Sequence, residues 1–176
     1  MIRIFAIEGE SSYTEVHSDS YEPEEGMILM QSAPTSGDQV AFPDGTWAIP
    51  FETTKQKAFD LLKSKRLEVE YGGPLLSVDD EMIRFPSEVK DEVRLNSLKD
   101  IFEKNPSYVV KDWKVADGVY VDMTATLLQT VKDAGFQHIA ATFSVERVKR
   151  EAIESLETAE EILEWIDTEL ETGWPA

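Results

Sequence analysis

Residues 111–128 read KDWKVADGVYVDMTATLL, and they set Asp112, Asp117 and Asp122 at equal five-residue intervals. Asp117-Gly118 is a favoured pair for the type I′ turn that closes a two-residue β-hairpin. A turn there pairs Ala116 with Val119, Val115 with Tyr120, Lys114 with Val121, and Trp113 with Asp122. Trp113, Val115 and Tyr120 then share one face, a candidate core face. Asp112 pairs with Met123 and faces away from Asp122, while Asp117 sits at the tip, about 13–16 Å from both at ~3.3 Å per residue. One ion draws its ligands to within about 2.0–2.6 Å, so the three aspartates are read as turn and flanks rather than as a metal site. Thr124 follows as the N-cap of a long helix. Its face is Leu127, Leu128, Val131, Ala134, Ile139, Phe143 and Val148, and Gly135 marks a kink or a close contact. A hairpin running into a helix points to an α+β fold.

Upstream, residues 1–50 contain short β-type runs: MIRIFAI, SYTEVHS, GMILMQ, DQVAF and TWAIP. Asp44-Gly45 between the last two is a hairpin signal. Pro23, Pro34 and Pro43 fall between strands, where a missing N–H does no harm. From Thr53 the apolar period changes. Ala58, Phe59, Leu61, Leu62 and Leu67 predict a helix over roughly 55–70, stopped by Gly72-Gly73-Pro74. PLLSVDDEMIRF predicts two strands around Asp79-Asp80. Ser87 is positioned to cap a helix carrying Val89, Val93, Leu95, Leu98, Ile101 and Phe102, which Asn105-Pro106 ends. Thr158–Glu161 (TAEE) is a capping box for a last helix with Ile162, Leu163, Ile166 and Leu170. The expected architecture is therefore α+β: a small N-terminal antiparallel β-meander (1–52), then a mainly helical domain with two inserted β-hairpins and an acidic C-terminal helix (53–176).

The chain has 176 residues and a formal net charge of −18. Residues 1–50 hold nine acids against Arg3 alone, residues 51–150 hold 17 acids and 16 bases, and residues 151–176 hold nine acids and no base. Such a balance argues against direct nucleic-acid binding, which needs clustered Lys and Arg. It suits solubility, or a basic partner at one end, or imitation of DNA. The absence of cysteine removes disulfides, zinc-thiolate centres and thiol nucleophiles, and fits a reducing cytoplasm. No apolar run reaches the length of a membrane span, and MIRIFAI is too short for a signal-peptide core, so a soluble, unsecreted protein is expected.

No catalytic, cofactor-binding or metal-binding set emerges, and the expectation is a protein that is not an enzyme. His138 falls at helical spacing from Ala134, Ala141 and Thr142 and reads as a helix-face residue, while His17 has no companion. Asp79-Asp80-Glu81 is a tight acid triplet better explained by a turn than by a calcium loop. There is no GxxxxGK[ST], GxGxxG or GxSxG. Candidate partner-binding residues are apolar instead. Met27 and Leu29, in the run Met27–Met30, form with Trp47 and Phe51 either an adaptable docking patch or the meander's own core. Trp174 and Pro175 in the terminal TGWPA dock either on the chain itself or on a partner.

The order of these segments resembles a domain family of unknown function found in phage tail-fibre assembly proteins. The resemblance rests on KQKAFDLLKSKRLEVE, GGPLLSVDDEMIRF, a Ser-capped helix, DWKVADGVYVDMTATLLQTVKDAG and FSVERVKREAIESLETAEEI. The pattern W-x-x-x-D-[GN]-x-x-V-x-[LM]-[TS] is met by Trp113, Asp117, Gly118, Val121, Met123 and Thr124. The terminal GWPA is similar to the Trp-Pro endings of tail-fibre chaperones, although the purely acidic final tract departs from their more basic one. The resemblance implies a tail-fibre assembly chaperone that binds the fibre or receptor-binding protein, without enzymatic activity. It places the chain in the cytoplasm of a bacterial host during assembly, with retention in the virion and self-association left open. A permanent structural tail component and an acidic DNA-mimic inhibitor of a host defence protein are the alternatives.

Overall fold

The computed structural model describes residues 2–18, 20–87 and 89–176. The architecture is α+β, with antiparallel strands and four α-helices. The N-terminal strands β1 (Arg3–Ile7), β2 (Tyr13–Val16) and β3 (Met27–Met30) form one antiparallel sheet in the order β2-β1-β3. Ile4 pairs with Met30 and Ala6 with Ile28. These alternate residues therefore share a face, and on it Ala6, Met30 and Ala41 are buried, with Ile4, Ile28 and Trp47 packed around them. Strands β4 (Val40–Ala41) and β5 (Trp47–Ala48) make the second hairpin.

That hairpin does not turn on two residues. Gly45 donates its N–H to Phe42 O and Phe42 donates to Thr46 O, so Pro43 and Asp44 occupy the turn and Gly45, at φ +81°, follows it. The Asp44 carboxylate accepts from the Thr46 hydroxyl at 2.6 Å and the Thr46 N–H at 3.0 Å, which holds its pKa below the usual carboxylate value. Glycine is required at 45 twice over, because a Cβ there would stand 2.7 Å from Leu29 O.

Helix α1 spans Phe51–Gly72, beginning four residues earlier than the apolar period suggested. Pro50 anchors the added turn: Thr54 donates both its N–H and its hydroxyl back to Pro50 O. Gly73, at φ +74°, closes the other end by donating to Val69 O and Glu70 O. Strands β6 (Leu75–Val78) and β7 (Glu81–Arg84) follow, joined by Asp79 and Asp80. Both aspartates take the left-handed conformation, at φ 50° and 66°, as a type I′ turn demands.

Helix α2 (Val89–Lys104) buries Leu98 and Phe102 but leaves Val93 and Ile101 exposed. Among the described residues Ser87 accepts no hydrogen bond from an N–H of α2. Its hydroxyl donates to Glu70 O and its N–H to Tyr71 O, supplying donors to carbonyls that face out of the last turn of α1. After α2 come β8 (Val110–Ala116) and β9 (Val119–Met123), then α3 (Ala125–Glu154) and α4 (Ala159–Glu169). Thr124 caps α3 by accepting from Leu127 N–H at 3.1 Å. At the start of α4, Glu161 N–H donates to Thr158 Oγ1 while the Glu161 carboxylate accepts from the N–H of Thr158 and of Glu157, a capping box.

The β8–β9 register departs from the simple hairpin. Ala116 pairs with Val119 as expected, but Lys114 pairs with Tyr120, Trp113 with Val121, and Val110 with Met123. Val115 is thus an extra residue, and a second irregularity lies between Val110 and Trp113, where Asp112 sits at φ 51°. Shifting a pairing by one residue changes which residues share a face. Tyr120 is accordingly 55% exposed, whereas Val121 and Met123 are buried. They join Ile83, Phe85, Leu98, Phe102, Leu128 and Val131 in one core, with Trp113, Val115 and Val119 packed against it.

The buried line of α3 is Leu128, Val131, His138, Thr142, Lys149 and Ile153. Phe143 and Val148, read from the sequence as part of the apolar face of α3, are exposed. Among the described residues a Cβ at Gly135 would meet nothing within 4 Å, and α3 runs through it as one helix. The chain divides into two compact units, Met1–Ala58 with Leu156–Glu164, and Phe59–Ser155 with Trp165–Ala176. Among the described residues no helix is long and apolar enough to cross a membrane.

Candidate functional site

Each aspartate of the opening stretch has a local role. Asp117 accepts from Lys114 Nζ at 2.6 Å, and Asp122 pairs with Lys111 across the hairpin while accepting from the backbone N–H of Asp112. These hydrogen bonds hold both carboxyls below the usual aspartate range, the lysine contact being the larger cause in each. Asp112 does not pair with Met123, because the irregularity before Trp113 moves that partner to Val110. Among the described residues no three His, Asp or Glu side chains gather as a metal ion requires.

The N-terminal candidates fall on two sides of the first sheet. Alternation along β3 puts Met27 and Leu29 on the face of Phe5 and Ile7, opposite to Ile28 and Met30. Leu29 is exposed, as is Ile7. Met27 accepts a weak hydrogen bond from the Tyr21 hydroxyl at 3.5 Å. Trp47 packs on the other face against Ala6, Met30 and Ala41, and its indole N–H donates to Ser32 O at 2.7 Å. Phe51 opens α1 with the Lys55 ammonium 5.2 Å from its ring centroid. Met27 and Leu29 thus make a surface that Trp47 does not share.

The C-terminal candidates dock on their own chain. Trp174 donates its indole N–H to Leu170 O at 2.7 Å, and both Trp174 and Pro175 are half-buried. Beside them lies a feature the sequence reading missed. Lys149 is buried on α3, its ammonium donates to Glu169 O, and it lies 5.6 Å from the ring of Trp165 and 5.8 Å from that of Trp174. An open groove of about 440 Å³ runs past it, lined by Val145, Val148, Ala152, Trp165 and Gly173. The available signal was phase: Lys149 stands seven residues after Thr142 and four before Ile153, on the buried line. Further out on the same unit, Lys65 pairs with Glu171 at 2.6 Å.

Burial holds the Lys149 ammonium below the usual lysine range, and the carboxylates of Glu169 and Glu171 oppose that shift. Between its lowered folded pKa and the unfolded value, the unfolded chain carries more of this proton than the folded one. The cost of burying the charge is therefore fully present below the folded pKa and is relieved as pH rises toward the unfolded value. Relative to Lys149→Met, the wild type is expected to gain urea stability between neutral pH and about pH 10, near the free-lysine pKa. A difference that stays flat with pH would contradict this account.

His138 is a structural residue: it is buried, and its Nε2 lies 2.8 Å from Val69 O. A second groove, of about 280 Å³, lies between the β7–α2 connection, α2 and α3. Its lining includes Phe85, Leu95, Val131, Gly135, Phe136 and Ile139. Phe136 is 77% exposed.

Fold and surface together define an acidic α+β protein whose second unit carries two β-hairpins among its helices. The chain belongs to the family described as Domain of unknown function (DUF4376), which matches residues 53–168, from the first turn of α1 to the last turn of α4. The first 52 residues lie outside that match. No curated protein and no solved structure matches the chain.

Proposed function

We propose that this protein is a phage tail-fibre assembly chaperone, binding a fibre or receptor-binding protein while its apolar and unpaired β surfaces await trimerisation. The observation that carries the reading is the hairpin of β8 and β9 running into α3. There Trp113, Asp117, Gly118, Val121, Met123 and Thr124 meet the pattern of a domain found in fibre assembly proteins, and they lie within the family match. Exposed strand edges and apolar fibre tips aggregate unless covered. A net charge of −18 keeps the cover itself soluble. The exposed Leu29, next to Met27 and Ile7, is the first partner surface to test.

Co-expression with a candidate tail-fibre protein from the same genome is the experiment. Soluble trimeric fibre is expected only when this chain is present. A complex that persists into purified particles at fixed stoichiometry would make it a permanent tail component instead. Fibre equally soluble alone, with nothing co-purifying, removes the reading. Salt-sensitive competition with DNA for a host protein would replace it with the DNA-mimic alternative.

A further inference from the structure

Among the described residues nothing within its own chain requires Gly135 to be glycine. It lies inside the 30-residue helix α3, where glycine is less favourable than alanine, and it does not take a positive φ. Among the described residues, a Cβ at 135 would meet nothing within 4 Å. The space it leaves belongs to the α2–α3 groove, an apolar hollow of about 280 Å³ with Val131 and Ile139 beside it on α3 and Leu95 opposite on α2. The neighbouring residue, Phe136, lines the same groove yet is the most exposed large apolar side chain among the described residues, at 77%. A hollow and an uncovered aromatic knob thus stand side by side on one surface.

We propose that this groove is the interface of a symmetric homodimer, in which Phe136 of each copy enters the groove of the other beside Gly135. A two-fold axis requires one patch to complement itself, and adjacent knob and hollow meet that requirement. Charge supports a second copy as the occupant. The groove is lined by one acid on α2, Glu92, and one base on α3, Lys132, whose ammonium donates to Asn96 Oδ1 at 2.9 Å. Glu92 makes no ion pair among the described residues, so each copy offers a carboxylate and an ammonium to its mate. Residues 51–150 hold 17 acids and 16 bases, so self-association through this region avoids the repulsion that the two acidic ends would impose. This inference does not depend on the fibre reading.

Sedimentation equilibrium on the full chain tests it. The wild type is expected to show a reversible monomer–dimer equilibrium. Phe136→Ser is expected to weaken dimerisation about thirtyfold or more, the scale of a central aromatic anchor. Gly135→Leu is expected to do the same by filling the hollow, and neither change should lower the urea midpoint of the monomer. Because Gly135 faces open space, Gly135→Leu keeps the test available if Phe136→Ser fails to fold. Lys132→Glu should weaken the dimer, and Glu92→Lys combined with Lys132→Glu should restore it. A wild type that stays monomeric at the highest soluble concentration overturns the proposal. So does a dimer indifferent to both Phe136→Ser and Gly135→Leu. If the wild type is monomeric and the same two variants lose a co-expressed fibre, self-association is overturned and the groove belongs to that partner.

Discussion

Gly73→Ala is expected to lower the urea stability of the second unit by about 3 kcal/mol or more, among the largest effects a single methyl group can have. Two causes add. Gly73 sits at φ +74°, a conformation that costs an L side chain about 1–2 kcal/mol. The new Cβ would also fall 1.9 Å from Phe85 O and 2.9 Å from Phe85 C, with Ser87 N at 3.1 Å. All three are backbone atoms and cannot swing aside. The segment they belong to is tied to the end of α1 by Phe85 N–H to Pro74 O, Ser87 N–H to Tyr71 O and Arg84 to Gly73 O, and Phe85 is core. Moving it away breaks those bonds and lifts Phe85 from its packing. Gly118→Ala is the matched control. Gly118 has φ +76° but open space around its Cβ position, so it should show the conformational cost alone. Equal effects at the two glycines, measured by urea titration, would show that the close approach at Gly73 is not there.

Met123→Ala is expected to cost about 2–5 kcal/mol, because the side chain is fully buried and leaves a cavity that β9 and α3 cannot close. Tyr120→Ala should change stability by no more than about 0.5 kcal/mol, as surface substitutions do. The pair tests the hairpin register directly. Without the extra residue at Val115, Tyr120 would share the core face with Trp113 and Val115, and its truncation would cost as much as that of a core aromatic. A Tyr120→Ala variant as unstable as Met123→Ala would restore that simpler pairing and remove the bulge.

Much of the fold was legible because the signals are local. Asp117-Gly118 turns the hairpin, Thr124 caps α3, Thr158 and Glu161 box the start of α4, and Gly72-Gly73-Pro74 stops α1. Each of these is satisfied by groups within about four residues, so the residue types at those positions are enough to predict it. The α+β class followed from the switch between period-2 and period-3.6 patterns. The candidate surface was less legible. Met27, Leu29 and Trp47 are all apolar and all near strands, but only the pairing of β1 with β3 places the first two on the face away from Trp47.

What the amino-acid order determined by itself is therefore the inventory of elements, their ends and their turns. Tertiary structure decided which side of each element is inside. The extra residue at Val115 turns Tyr120 out and Met123 in, and the phase of α3 buries His138, Thr142 and Lys149 while exposing Phe136 and Phe143. Ser87 serves the end of α1, because the carbonyls of Glu70 and Tyr71, which face out of its last turn, lie within its reach. The physical reason is common to all three. A cap or a turn is completed by its neighbours in the chain, whereas a buried face or a borrowed hydrogen bond is completed by residues brought close only when the chain has folded.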